Sequence, residues 1–135
     1  MANITTYAAN KLLDHASGKA AYTKPVKTYV ALYKADPTIA GTQTNEVGAT
    51  AASYARVELG PTVANAGAIE NAAQLTWTEA GAGENWGTVT HWAILDEATA
   101  GNMLFFGTLA PNMAITAGMQ YIIAAGALDL SIVLT

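Results

Sequence analysis

The sequence predicts a mainly β fold: an antiparallel β-sandwich, jelly-roll or immunoglobulin-like, with one N-terminal α-helix. Three observations predict it. Short apolar stretches recur between turn-forming residues, a helical period occurs once, at the start, and strands do not alternate with helices as a parallel α/β sheet requires. The chain is read as a single domain over residues 1–135, with the helix and an arm over 1–26 and the sandwich over 27–135.

Ile4, Tyr7, Ala8, Lys11, Leu12 and His15 follow helical spacing, with Asn3 as the N-cap and Gly18 as the breaker, which predicts an amphipathic helix over 4–17. From Lys27 the period changes. Tyr29, Ala31 and Tyr33 fall on one face of KTYVALYK and Val30 and Leu32 on the other, a buried strand ended by Asp36-Pro37. The segment from Ala35 to Ser53 is rich in Gly, Thr, Asn and Ala without a period, and its length marks it as a functional loop or an interaction arm. YARVEL, residues 54–59, is the next strand; Pro61 opens an Ala/Asn/Gly stretch that leads to QLTWT at 74–78 and the turn-rich GAGEN. WGTVTHWAILD, residues 86–96, is the clearest strand, with Val89, His91, Ala93 and Leu95 on one face and Thr88, Thr90, Trp92, Ile94 and Asp96 on the other. The turn Ala100-Gly101-Asn102 leads into MLFFGTLA, which Pro111 is expected to close. MAIT and MQYIIAAG give two short strands around Gly118, and ALDLSIVL ends the chain with Leu128, Leu130, Ile132 and Leu134 on one face. There is no internal repeat.

Six Lys plus Arg stand against ten Asp plus Glu, for a net charge of -4 and a pI near 4.9. Without a cluster of cations, the chain is not expected to bind nucleic acid or anionic membranes. The absence of cysteine excludes a disulfide framework, a thiolate zinc site and a cysteine nucleophile. MANITTYAANKLL lacks a basic region followed by an apolar run, and no stretch reaches the roughly 18 apolar residues of a membrane span, so a soluble chain with no export peptide is expected. Hydrophobic residues make up 52% and charged residues 12%, and much of the apolar excess is alanine, a composition suited to close backbone packing or an extensive protein interface.

The chemistry-bearing residues do not form a reactive set. His15 and His91 have no second ligand at metal spacing, so no metal site is expected; His91 reads as an imidazole hydrogen-bonded at a sheet face and His15 as a solvated helix end. A triad can be written from Ser53 or Ser131, His91, and Asp96 or Asp129, but there is no nucleophile elbow. Glu70, Glu79, Glu84, Asp96, Glu97 and Asp129 offer carboxylates in number rather than in pattern. Gly81 and Gly83 fail the dinucleotide motif, and Gly18-Lys19 lacks the rest of a phosphate loop. The reading is a non-enzyme with no cofactor and no small-molecule substrate. Trp77, Trp86 and Trp92, with six tyrosines, suit a core, a sugar-stacking surface or an interface; Trp86, between a turn and Gly87, is expected to be the most exposed tryptophan.

TYVALYKADPT, the loop ending in NEV, YARVEL, WGTVTHWAILDEATAGNMLFFGTL and AAGALDLSI together resemble a family of small tailed-bacteriophage structural proteins. Members are often labelled tail fibre proteins, and some are similar to head decoration or cement proteins. The resemblance runs from about Thr28 to the C-terminus, and its specificity lies in an ordered set: ADPT, WGTVTH, the D-x-A-T-x-G-N turn from Asp96 to Asn102, and GALDLS. It implies a β-sandwich without enzymatic activity and contributes no catalytic residues. The first expectation is a decoration protein, made in the host cytoplasm, that binds the major capsid protein on the outer head surface and stabilises the shell by burying apolar area across its seams. The resemblance also implies a homo-oligomer, a trimer at local threefold positions. Interface candidates are Ile4, Tyr7 and Leu12 from the helix, Asp36, Pro37, Thr42 and Asn45 from the long loop, and Trp86 and His91, with the segment from Gly60 to Ala73 also reaching outward. The second expectation is a tail fibre or tail-tip protein that binds the host surface, supported by the family label and the Trp and Tyr content and opposed by the lack of an elongated repeat.

Overall fold

The computed structural model describes residues 2–132. In chain order the elements are β1 (Ala2–Ile4), α1 (Thr6–Ala16), β2 (Tyr29–Tyr33), a 3-10 turn at Val47–Thr50, β3 (Val57–Glu58), β4 (Ala68–Glu70), β5 (Leu75–Thr76), β6 (Asn85–Leu95), β7 (Met103–Thr116), β8 (Ile122–Ile123) and β9 (Asp129–Ser131). The expected class, mainly antiparallel β with a helix near the N-terminus, is what they form. Five strands make one sheet in the order β1-β7-β6-β2-β3, while β4 pairs with β9 and β5 with β8 as two-stranded ribbons. One layer is thus a full sheet and the other is supplied by ribbons and loops.

Both faces of the sheet are covered. On one, Val30, Leu32, Trp92 and Ile94 pack with Leu75, Trp77, Ile115, Ile123 and Leu128. On the other, Ala31, Tyr33, Ala93, Leu95, Met103 and Phe106 form a second cluster. This two-sided burial explains why YVALY reads as a continuous apolar run rather than an alternating one. Trp92 lies across Gly107 on the neighbouring strand, where a Cβ would meet the indole at 2.6 Å, so only glycine fits that cross-strand position.

Several boundaries differ from the sequence reading. The helix starts at Thr6, not Ile4, because Ala2, Asn3 and Ile4 pair with Gly107, Phe106 and Phe105. The N-cap is therefore Thr5 rather than Asn3: its buried Oγ1 accepts from the Ala8 N–H at 3.3 Å and donates to the Met103 carbonyl at 2.6 Å. A hydroxyl that both caps the helix and ties it to β7 leaves α1 part of the body, not a free arm.

Pro111 does not close β7, which runs on to Thr116 and absorbs MAIT. His91 pairs with Thr108 and Val89 with Met113, so residues 109–112 bulge opposite Thr90, and the proline sits where the ladder asks for no N–H. The same irregularity moves Val89 to the face of Trp92 and Ile94, away from Ala93 and Leu95. Trp86, expected to be the tryptophan left partly exposed, is fully buried. Gly87, at a φ of 79°, and the register shift between Asn85 and Gly87 turn the indole inward.

The remaining strands shrink to pairs or triplets: YARVEL to Val57–Glu58, QLTWT to Leu75–Thr76, and ALDLSIVL to Asp129–Ser131. The single face expected for that last stretch is not kept, since Leu128 is buried at 4% and Ile132 is 68% exposed; Leu134 lies outside the described residues.

Candidate functional site

A groove of about 510 Å³ opens beside β1, lined by Ile4, Leu12, Ile69, Phe105, Leu130 and Ile132 with small residues between them. Pairing with β7 sets Ile4 opposite Phe105, α1 brings Leu12 over them, and the β4–β9 ribbon supplies the far wall through Ile69 and Leu130, themselves a cross-strand pair. Ile4, Leu12 and Ile132 are 39%, 40% and 68% exposed. Among the described residues no titratable side chain lines the groove. Its walls therefore offer mainly apolar area, with the Ser131 hydroxyl among them; a side chain left about 40% exposed, as Ile4 and Leu12 are, gains about 1 kcal/mol when covered.

Ile4 and Leu12 are the expected interface residues that the fold brings together here. Tyr7, on the same helix, lines a different and polar cleft. Asp36 is exposed and its Oδ1 accepts from the Thr38 N–H at 2.8 Å, while Pro37 is buried, and Thr42 and Asn45 are exposed. His91 is half-buried, with Nδ1 2.8 Å from Thr90 Oγ1, the hydrogen-bonded sheet-face imidazole that the sequence suggests. His15 is exposed near the helix end, where its Nδ1 accepts from the Tyr22 N–H at 3.1 Å. Ile69, Phe105, Leu130 and Ile132 were missed. Leu130 and Ile132 carry a sequence signal, the alternation in ALDLSI, but nothing in Phe105-Phe106 says which ring faces the groove until β1 is known to pair there.

The segment from Ala35 to Ser53 is not an outreaching arm. Val47 and Ala51 are in the core, and the segment is pinned by Arg56, whose side chain is 5% exposed. Arg56 Nε donates to Glu46 Oε1 at 2.8 Å and Nη2 to Glu46 Oε2 at 2.7 Å; Nη2 also reaches Gln43 Oε1, and Nη1 donates to the carbonyls of Glu97 and Ala100. Five acceptors match the five donors of a guanidinium. Tyr54 donates to Glu46 Oε1 at 3.1 Å, and burial, then the Glu46 carboxylate, push its phenol pKa up.

A second carboxylate closes the GAGEN turn. Glu84 accepts from Ser53 Oγ, from the Trp86 indole N–H at 3.0 Å, from the Ser53 N–H at 3.0 Å and from the Gly81 N–H at 3.1 Å. These donors, led by the Ser53 hydroxyl and the indole, hold its pKa down to about 2. Trp86 also packs edge-on against Tyr54, with centroids 5.4 Å apart.

Two members of the triad written from sequence are engaged elsewhere, while the carboxylates Glu70 and Asp129 face each other across the β4–β9 ribbon. Ser53 turns to Glu84, and both oxygens of Asp96 accept from Asn102, at 2.6 Å from its N–H and 2.9 Å from its Nδ2, closing the D-x-A-T-x-G-N turn. Among the described residues no three of His, Asp and Glu converge as metal ligands.

A protein-family model described as podophage GP4 fiber I protein gp80 matches residues 3–131. A search of curated proteins finds no match.

Proposed function

We propose a tail-fibre role from one premise: the chain belongs to the podophage GP4 fiber I protein gp80 family, and is thereby a structural protein of a bacteriophage virion. The observation that carries the fibre reading is the extent of the match, which runs from β1 through β9 and so takes in both walls of the apolar groove. On this reading the chain is non-catalytic and is seated in the virion by covering that groove with a neighbouring subunit of the fibre. Among the described residues the groove's lining carries no charge, so the surface that fills it is an apolar protein segment and not a charged one.

Decoration of the head surface, the first expectation from sequence, takes no support from the fibre description, and the long loop on which it relied is pinned to the body. The fibre reading therefore replaces it as the preferred one. Immunogold labelling of intact virions, viewed by negative-stain electron microscopy, tests the choice: gold on the tail appendages is expected, and gold distributed over the head overturns the reading.

A further inference from the structure

A cleft of about 340 Å³ that shares no lining residue with the groove is lined by Tyr7 of α1, Tyr22 of the connecting segment and Tyr29 of β2, together with Lys27, Asp96 and Glu97. We propose that this cleft is a binding site for a neutral saccharide. Its volume falls at the small end of the roughly 300–1,000 Å³ range of ligand clefts.

The three tyrosines are half-buried, and among the described residues none of their hydroxyls makes a hydrogen bond within the protein. Phenol rings present an electron-rich face to the C–H side of a sugar ring, while the hydroxyls exchange hydrogen bonds with sugar hydroxyls. The tyrosines are set close together: burial first, then Tyr7 and Asp96, raise the Tyr22 phenol pKa above its ordinary value.

Charge selects among ligands that favour aromatic walls. Lys11 stands over the Tyr7 ring at 5.8 Å from its centroid, and Lys27, paired with Glu58 at 2.8 Å, lines the cleft together with the carboxylates of Asp96 and Glu97, so charges of both signs lie at or beside it. A cationic ligand meets the lysines and an anionic one the carboxylates, whereas an uncharged polyol meets neither penalty. The connecting segment is shaped around the cleft. Within residues 17–27 all but Tyr22 and Pro25 are exposed, and both of these line it.

The inference stands on the cleft rather than on the fibre assignment, and its test uses the isolated chain, so either can fail without the other. Saturation-transfer NMR is run on the 135-residue chain with the methyl glycosides of glucose, galactose, rhamnose and N-acetylglucosamine, and with tetramethylammonium and inorganic phosphate as charged probes. Transfer to the ring protons of at least one glycoside is expected. Tyr22→Ala should weaken that binding about tenfold through loss of a stacking face. Glu97→Ala, at an exposed position that leaves folding intact, should weaken it about threefold through loss of a hydrogen-bond acceptor. Val63→Ser, at a position 91% exposed and outside the cleft, should leave it unchanged. The proposal is overturned by transfer to no glycoside, by transfer that survives both cleft variants, or by binding of a charged probe alone.

Discussion

The two edges of the five-stranded sheet are finished in opposite ways. At the β3 edge the chain is irregular, yet Arg56 and Glu84 gather it so completely that their polar groups are matched within the fold. At the β1 edge the elements are regular, a strand capped into a helix, yet Ile4, Leu12 and Ile132 are left partly uncovered. Irregularity is thus a poor guide to where a partner binds. What distinguishes a contact surface is the apolar area that the fold leaves open.

The largest effects should come from the pinned side. Trp86→Ala removes a fully buried indole and the donor to Glu84, and should cost about 3–5 kcal/mol in denaturant unfolding; a loss within experimental error would show that the indole is not part of the core. Arg56→Ala leaves Glu46, whose side chain is 15% exposed, without its partner and frees two carbonyls, and should cost about 3 kcal/mol. An unchanged melting temperature for that variant would mean that the loop is held by other contacts.

The Glu84 effect is smaller and depends on pH. A folded pKa near 2, below the ordinary value of 4.5, means that the unfolded chain binds this proton more tightly. The carboxylate's stabilisation is therefore complete above the ordinary range and is lost as pH falls from about 4.5 through about 2. Over that window wild type should lose stability more steeply than Glu84→Gln, which lacks the titrating group. Parallel pH profiles would show that the carboxylate is not held by its four donors.

The fold class was legible because strand periods and turn residues are local. β2 and the length of β6 could be read from Tyr29 to Leu95, since β-branched and aromatic runs declare themselves. What escaped depended on partners distant in sequence. The strand at Ala2–Ile4 is hidden in a helical pattern until Phe105 is placed beside it, and the inward turn of Trp86 depends on a bulge set by pairing with β7. Half of the groove was legible, Ile4 and Leu12 by helical spacing, and half was not, because Ile69 and Phe105 join it only through tertiary packing. Arg56, the lone arginine, carried a signal that was overlooked: a guanidinium between apolar strand residues in a chain poor in charge needs a carboxylate partner, and Glu46 lies upstream in a segment that was read as an arm.

The central claim, that the apolar groove at the β1 edge seats the chain in the virion, is tested most directly with phage carrying Leu12→Glu. Leu12 is 40% exposed, so the purified variant should keep a folding stability within about 0.5 kcal/mol of wild type, while a charge placed among the groove's apolar side chains blocks assembly. The account predicts virions that purify without the variant chain. Virions that retain it at the wild-type level would contradict the account.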